Sequence, residues 1–256
     1  MIARVLVIAG SDSGGGAGIQ ADIKTITMLG GHAMTAVTAV TAQNTVAVTR
    51  VEPVSTAMVL AQIDAVLSDI GADSVKIGMI GSAATARAVA DRLAGEGLPL
   101  VLDPVMVATS GAVLADADTV AAMGALMRLA TVTTPNRAEL AALGGEAAVL
   151  AHGCALLVKG GHDEGDRLTD RLLKPGEGEV ARWTDERIDT PHTHGTGCTL
   201  ASAVALGLAE GRSLAGSVAR AREFVRLAIR EAPGLGAGHG PMGHALGGVP
   251  AARWLR

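Results

Sequence analysis

Short apolar runs alternating with helix-length amphipathic stretches constrain this chain more than any other feature. The runs fall at residues 4–9, 74–77, 98–103, 131–133 and 155–159. They are strand-sized and apolar on consecutive positions, the pattern of strands buried on both faces of a parallel sheet. The intervening pattern predicts helices at 17–29, 55–70, 83–95, 116–129, 137–143, 197–211 and 214–231. β-Branched stretches predict further strands at 32–42 and 46–51, and 167–173 with 179–184 read as an antiparallel pair around a Pro-Gly turn. Repeated strand–helix units imply an α/β fold, a three-layer sandwich whose mostly parallel central sheet carries helices on both faces. No internal repeat or linker interrupts the pattern, so residues 1–256 are expected to form one domain. The stretch 233–250, rich in Gly, Pro and His, is expected to be loop.

Composition excludes several classes of partner. Twenty-one basic residues against 25 acidic ones leave a net charge of −4, too small and evenly spread for nucleic acid or an acidic membrane surface. Aromatics are nearly absent, with one Phe, two Trp and no Tyr, so a flat ligand must be oriented mostly by hydrogen bonds. Cys154 and Cys198 make neither a disulfide framework nor a zinc spacing, and a reducing cytoplasm is the expected setting. The apolar run after Met1 is too short for a signal core. Residues 25–49 carry no formal charge apart from His32, but Thr, Gly, Gln43 and Asn44 break any membrane-spanning reading.

In sheets of this kind functional residues gather at the carboxyl ends of strands. Gly10-Ser11-Asp12, Asp103, Asn136 and Lys159 each follow an apolar run. The strongest local signal is Thr193-His194-Gly195-Thr196-Gly197-Cys198-Thr199, opening a helix of small residues. Free N–H groups at a helix start, with glycines that admit an oxyanion, form an anion site. Cys198 there reads either as a base, its thiol pKa lowered by the helix N-terminus, or as a small buried hydrophobe. The loop Gly14-Gly15-Gly16-Ala17-Gly18 also joins a strand to a helix, but its spacing is not that of a dinucleotide fingerprint, which argues against an oxidoreductase. Asp22 could accept bonds from an amino-bearing ring, or be a solvated first-turn acid. Asp103 suits metal–water or phosphate-linked chemistry. Asn136 with Glu139 is equally a plain capping pair. The seven histidines show no helical spacing of a zinc enzyme, and a transition metal is not expected.

In order along the chain these clusters resemble the ribokinase-like superfamily, and within it the hydroxymethylpyrimidine/phosphomethylpyrimidine kinases. The resemblance rests on the segment Ala9 to Asp22, Thr38-Ala39-Val40-Thr41-Ala42-Gln43-Asn44-Thr45, Lys76-Ile77-Gly78-Met79 and Asp103-Pro104-Val105-Met106. It continues through Pro135-Asn136-x-x-Glu139, Lys159-Gly160-Gly161-His162, Gly195-Thr196-Gly197-Cys198 and Gly238-His239-Gly240-Pro241. It implies ATP and Mg²⁺ as co-substrate and cofactor, and phosphorylation of 4-amino-5-hydroxymethyl-2-methylpyrimidine and then of its monophosphate, in thiamine synthesis. It further implies Cys198 as base, Gly195, Thr196 and Gly197 as anion hole, and Gly10, Asp22, Gln43, Met79 and Val105 around the pyrimidine. Asp103 and Glu139 would organise Mg²⁺, with Asn136 and Lys159 at the ATP phosphates. A homodimer is implied as well. A pyridoxal kinase and a non-catalytic pyrimidine-binding module on the same fold are the alternatives. One departure is visible: only residues 140–158 separate the Asn136 and Lys159 motifs, a shorter helical segment than such kinases usually carry.

Overall fold

The computed structural model describes residues 1–108, 111–160 and 165–247. Nine strands make one sheet: β1 (Arg4–Ser11), β2 (His32–Gln43), β3 (Val48–Pro53), β4 (Ser74–Ile77), β5 (Leu100–Leu102), β6 (Val132–Thr133), β7 (Ala155–Val158), β8 (Arg167–Lys174) and β9 (Gly178–Glu186). Their spatial order is β3-β2-β1-β4-β5-β6-β7-β8-β9. The six neighbouring strands β2, β1, β4, β5, β6 and β7 run parallel; β3 pairs antiparallel with β2 at one edge, and at the other β8 pairs antiparallel with β7 and β9 with β8. The helices are α1 (Gly18–Met28), α2 (Thr56–Asp69), α3 (Ala83–Leu93), α4 (Ala117–Met127), α5 (Arg137–Ala142), α6 (Glu146–Leu150), α7 (Thr196–Ala209) and α8 (Leu214–Arg230).

The strands are apolar on both faces because each face meets helices. Leu6 and Ile8 of β1 pack with Val59 and Ile63 of α2, Val89 of α3 and Leu126 of α4. Val5, Val7 and Ala9 of the same strand pack with Ile26 of α1, Val204 and Leu206 of α7 and Val218 of α8. Each such fully buried aliphatic side chain contributes about 1.5–3 kcal/mol. The small residues of α7 let α8 come close: a β-carbon on Gly207 would sit 2.5 Å from Ser217 Oγ.

Every expected element is present, with ends shifted by a few residues. β5 is shorter than expected, although Asp103 N–H still bonds Ile77 O at 2.8 Å beyond its end. The five-residue α6 is an additional element, too short to show a period in the sequence; it occupies the abbreviated segment before β7. After β1 the chain builds β2 on one side and β4 on the other. The carboxyl ends of β1 and β4 therefore flank a switch point, where open α/β sheets form their ligand crevice.

Candidate active site

The N-terminus of α7 lies at this crevice. Gly195 caps it with φ +87° and ψ 7°, a left-handed conformation that favours glycine. A β-carbon there would also overlap the carbonyl oxygen of Gly16, so the glycine loop and the helix start touch backbone to backbone. Thr196, Gly197 and Cys198 follow in the first turn, whose N–H groups have no carbonyl of the helix itself to bond; that of Thr196 reaches Thr193 O at 3.3 Å.

Beside this turn stand an aspartate and a lysine. Lys159 Nζ lies 3.2 Å from Asp103 Oδ1, which also accepts from Thr134 Oγ1 at 3.2 Å. A β-carbon on Gly197 would be 3.5 Å from both Asp103 Oδ2 and Lys159 Nζ, so the pair faces the anion hole. Burial works against the Lys159 charge, but Asp103 and Glu139 outweigh it and raise its pKa. Asn136 and Glu139 form the capping box of α5: Glu139 N–H donates to Asn136 Oδ1 at 2.9 Å and Asn136 N–H to Glu139 Oε2 at 2.8 Å. Glu139 is nevertheless buried, which pushes its pKa up to about 7 against the pull of Lys159. Capping and site readings thus meet in one residue.

Beneath the hole lies a second buried pair that the sequence did not announce. Lys76 of β4 and Asp22 of α1 are both fully buried, with Lys76 Nζ 3.0 and 2.9 Å from the two carboxylate oxygens. Ser202 of α7 donates to Asp22 Oδ1 at 2.6 Å. Three donors' worth of contacts on two oxygens describe an ionised carboxylate beneath a charged lysine; burial opposes that charge, but Asp22 above all holds the Lys76 pKa above its ordinary value. Asp22, expected at a substrate ring, is thus found with both oxygens engaged by protein.

Cys198 differs from expectation in its acidity. The helix start was expected to lower its thiol pKa. Burial instead pushes it up to about 12, with Asp22 and Asp103 adding and Lys76 and the Gly18 N–H opposing. The thiol is protonated at neutral pH in the absence of other charge.

The glycine loop is organised by Asp12. Its carboxylate accepts from the N–H groups of Gly14 at 2.8 Å, Gly16 at 3.0 Å and Ala17 at 2.8 Å, and faces His194 Nε2 at 2.9 Å. Gln43, at the end of β2, comes within 3.2 Å of the same ring nitrogen. Gly10 lies against Met79, whose methyl a β-carbon would overlap, and Thr38 Oγ1 donates to Met79 O at 2.6 Å. Val105 sits two residues beyond Asp103, its N–H on Asp103 O at 2.8 Å. Sequence reading passed over Asp12, His194 and Lys76 as individual site residues. The Asp-x-Gly spacing of a side-chain turn was a usable signal for Asp12; nothing local marked Lys76. Gly161 and His162, parts of the quoted Lys159 motif, lie outside the described residues.

Among the described residues no group of three or more His, Cys, Asp or Glu side chains is arranged to hold a metal alone, and no helix is long and apolar enough to cross a membrane. A helix start, a lysine and two carboxylates are groups suited to phosphoryl transfer, where positioning and charge neutralisation do most of the work.

Known proteins match along the whole chain. A hydroxymethylpyrimidine/phosphomethylpyrimidine kinase of Rhizobium meliloti is 48% identical over 261 residues, covering 95% of this chain and 97% of its own. One of Streptomyces coelicolor is 47% identical over 260 residues, covering 95% of each. The solved structure of a Bacillus subtilis pyridoxal kinase with ADP superposes with a TM-score of 0.86 at 32% identity, covering 100% of both chains. The family described as phosphomethylpyrimidine kinase matches residues 12–243, from the aspartate that holds the glycine loop to the C-terminal segment beside α7, and the chain belongs to that family.

Proposed function

We propose that this protein transfers the γ-phosphoryl group of ATP to the hydroxymethyl oxygen of 4-amino-5-hydroxymethyl-2-methylpyrimidine, and then phosphorylates the monophosphate to the diphosphate, in thiamine synthesis. The observation that carries this reading is the Asp103–Lys159 pair facing the N-terminus of α7, in a chain nearly half identical to kinases of that name. The N–H groups of Gly195, Thr196 and Gly197 receive the charge that develops on the transferred group. Lys159 and Asn136 approach the ATP phosphates. Gly10, Gln43, Met79 and Val105 bound the pyrimidine, and Asp22 acts on it from below, through Lys76.

Asp103 and Glu139 present only oxygen, a donor set that fits Mg²⁺ held through its own waters and substrate phosphates rather than in an all-protein cage. Bound there, Mg²⁺ supplies charge neutralisation for the phosphoryl oxygens. Cys198 is the proposed proton acceptor from the substrate hydroxyl. Only the thiolate can take that proton, so the role requires that the positive charge which Mg²⁺, Lys159 and Lys76 would bring hold Cys198 ionised when substrate is bound. A cytoplasmic homodimer that binds neither nucleic acid nor membrane completes the reading.

A pyridoxal kinase is the second reading, favoured by the structural match to one. Purified protein with Mg²⁺-ATP is offered hydroxymethylpyrimidine, its monophosphate or pyridoxal, and products are identified by mass. Diphosphate from the pyrimidine with little pyridoxal turnover is the expected result. Turnover of pyridoxal alone would move the chain to the second reading. Binding of the pyrimidine without ADP formation would leave a non-catalytic module.

A further inference from the structure

His244 is 4% exposed beside the first turn of α7, and Thr199 in that turn is fully buried. The segment that carries the histidine forms neither helix nor long strand, yet it is tied down along its length. Gly238 N–H donates to Thr45 Oγ1 at 3.2 Å, His194 N–H to Gly240 O at 3.2 Å, and Gly243 N–H to Ala228 O at 2.9 Å. The last contact is close enough to require glycine, since a β-carbon on Gly243 would overlap the Glu231 carbonyl oxygen. The His244 ring is thus delivered to a fixed point, where its Nε2 lies 2.9 Å from Thr199 Oγ1.

The hydrogen in that bond comes from the threonine. Burial lowers the His244 pKa to about 4, so at neutral pH the ring has one N–H and one bare nitrogen. The Met242 backbone bonds the ring in the sense that favours a ring hydrogen, as a carbonyl acceptor does, and this uses the one N–H. Nε2 is then the bare acceptor, and Thr199 donates to it. A helical threonine has another outlet for its hydroxyl, the carbonyl four residues earlier, and taking it bends the helix. Two hydroxyls of this protein do turn back in that way, Thr25 Oγ1 to Ala21 O at 2.7 Å in α1 and Ser217 Oγ to Ser213 O at 2.9 Å in α8. For Thr199 the carbonyl in question is that of Gly195, which accepts the Thr199 N–H at 2.9 Å and so closes the first turn of α7. A hydroxyl bond to it would bend the turn that carries Gly195, Thr196 and Gly197.

We infer that His244 is a positioning residue for phosphoryl transfer: by taking the Thr199 hydrogen it keeps that hydroxyl off the Gly195 carbonyl and holds the first turn of α7 straight. This rests on the proposal that the turn receives the transferred group, and adds the part of the chain that fixes its shape. Cys198 is the neighbour of Thr199, so the same restraint sets the thiol as well as the N–H groups. His244 acts through the threonine and not on the substrate.

The test reads kcat and KM for hydroxymethylpyrimidine and Mg²⁺-ATP in wild type and four variants. His244→Phe keeps a ring but offers no acceptor. Its kcat should fall by roughly tenfold, less than the loss of a whole anion-hole donor, with both KM values within about twofold of wild type. Thr199→Val has no hydroxyl to turn back and should keep kcat within about threefold of wild type. Combining the two should return most of the kcat that His244→Phe loses, so that a second substitution repairs the first. His244→Gln can meet the hydroxyl with its amide oxygen and should also stay within about threefold. An unchanged kcat in His244→Phe, a double variant no faster than it, or Thr199→Val or His244→Gln as slow as it, each overturns the inference. Should His244→Phe fail to fold, His244→Asn, too short to reach the hydroxyl, replaces it in both backgrounds. Wild type that phosphorylates pyridoxal and not the pyrimidine overturns the proposed substrate, and the same variants then decide the inference on pyridoxal. Wild type that phosphorylates neither sinks the proposed function and this inference together.

Discussion

A methyl group on Gly195 would collide with the Gly16 carbonyl while holding a backbone at φ +87°, so Gly195→Ala should cost about 1–3 kcal/mol of stability and most of the turnover. Urea melts and ATP consumption measure the two separately. Cys198→Ala should damage phosphorylation of the alcohol more than that of the monophosphate, whose phosphate oxygen attacks without needing a base; equal losses would leave the thiol only a shaping role. Glu139 and His244 make an opposed pair. Glu139 has its pKa raised by burial from 4.5 to about 7, so its stabilising contribution is full below 4.5 and lost as pH rises through 7. His244 bonds Thr199 Oγ1 at 2.9 Å, and burial, helped by Lys24, lowers its pKa from 6.5 to about 4. Its contribution is full above 6.5 and lost as pH falls through 4. Each is worth roughly 3 kcal/mol, and their opposite slopes overlap between pH 4.5 and 6.5. Wild type should therefore show a nearly flat stability between pH 4.5 and 6.5. Glu139→Gln should tilt it upward with pH and His244→Gln downward. Parallel profiles for all three would show that neither group is as strongly perturbed as its burial implies.

Among elements, α1, β4 and α7 are joined by the Asp22–Lys76–Ser202 cluster. Removing one charge strands the other in an apolar interior, so Lys76→Met should destabilise by about 3–5 kcal/mol in urea denaturation. Lys76→Met with Asp22→Leu should recover much of that while leaving the hole without its underlying cation, separating stability from turnover. This cluster marks where sequence legibility ended. β1 was plain in its unbroken apolar run, and the start of α7 in its Gly-Thr-Gly. A lysine inside Ser74–Ile77 says only that one strand position carries charge; its partner is 54 residues earlier on a helix. The acidity of Cys198 was misread for the same reason. The helix start is local and visible in sequence, whereas the burial and two carboxylates that override it arrive from other elements. Asn136 and Glu139 were legible as a cap, but the burial that makes Glu139 titrate abnormally is tertiary. At α6, five residues were too few to show a period.

For the molecule as a whole, the site is assembled from distant stretches of chain. Asp12 meets His194 across 182 positions, and Gly238 N–H reaches Thr45 Oγ1 across 193. Contacts so remote form late in folding, because the loop they close must be ordered before they repay it. Refolding from urea should therefore restore far-UV circular dichroism before it restores turnover; simultaneous recovery would show the hole forming with the sheet. Synthesis imposes the same order in time. The ninth strand ends at Glu186, and α7 begins at Thr196, so every strand of the sheet is polymerised before the anion hole has a single residue. At about 5–20 residues per second, Asp12 waits roughly ten to forty seconds for the histidine that closes its loop. Until then the nascent chain is a scaffold with no chemistry, unable to spend cellular ATP while it is still being made.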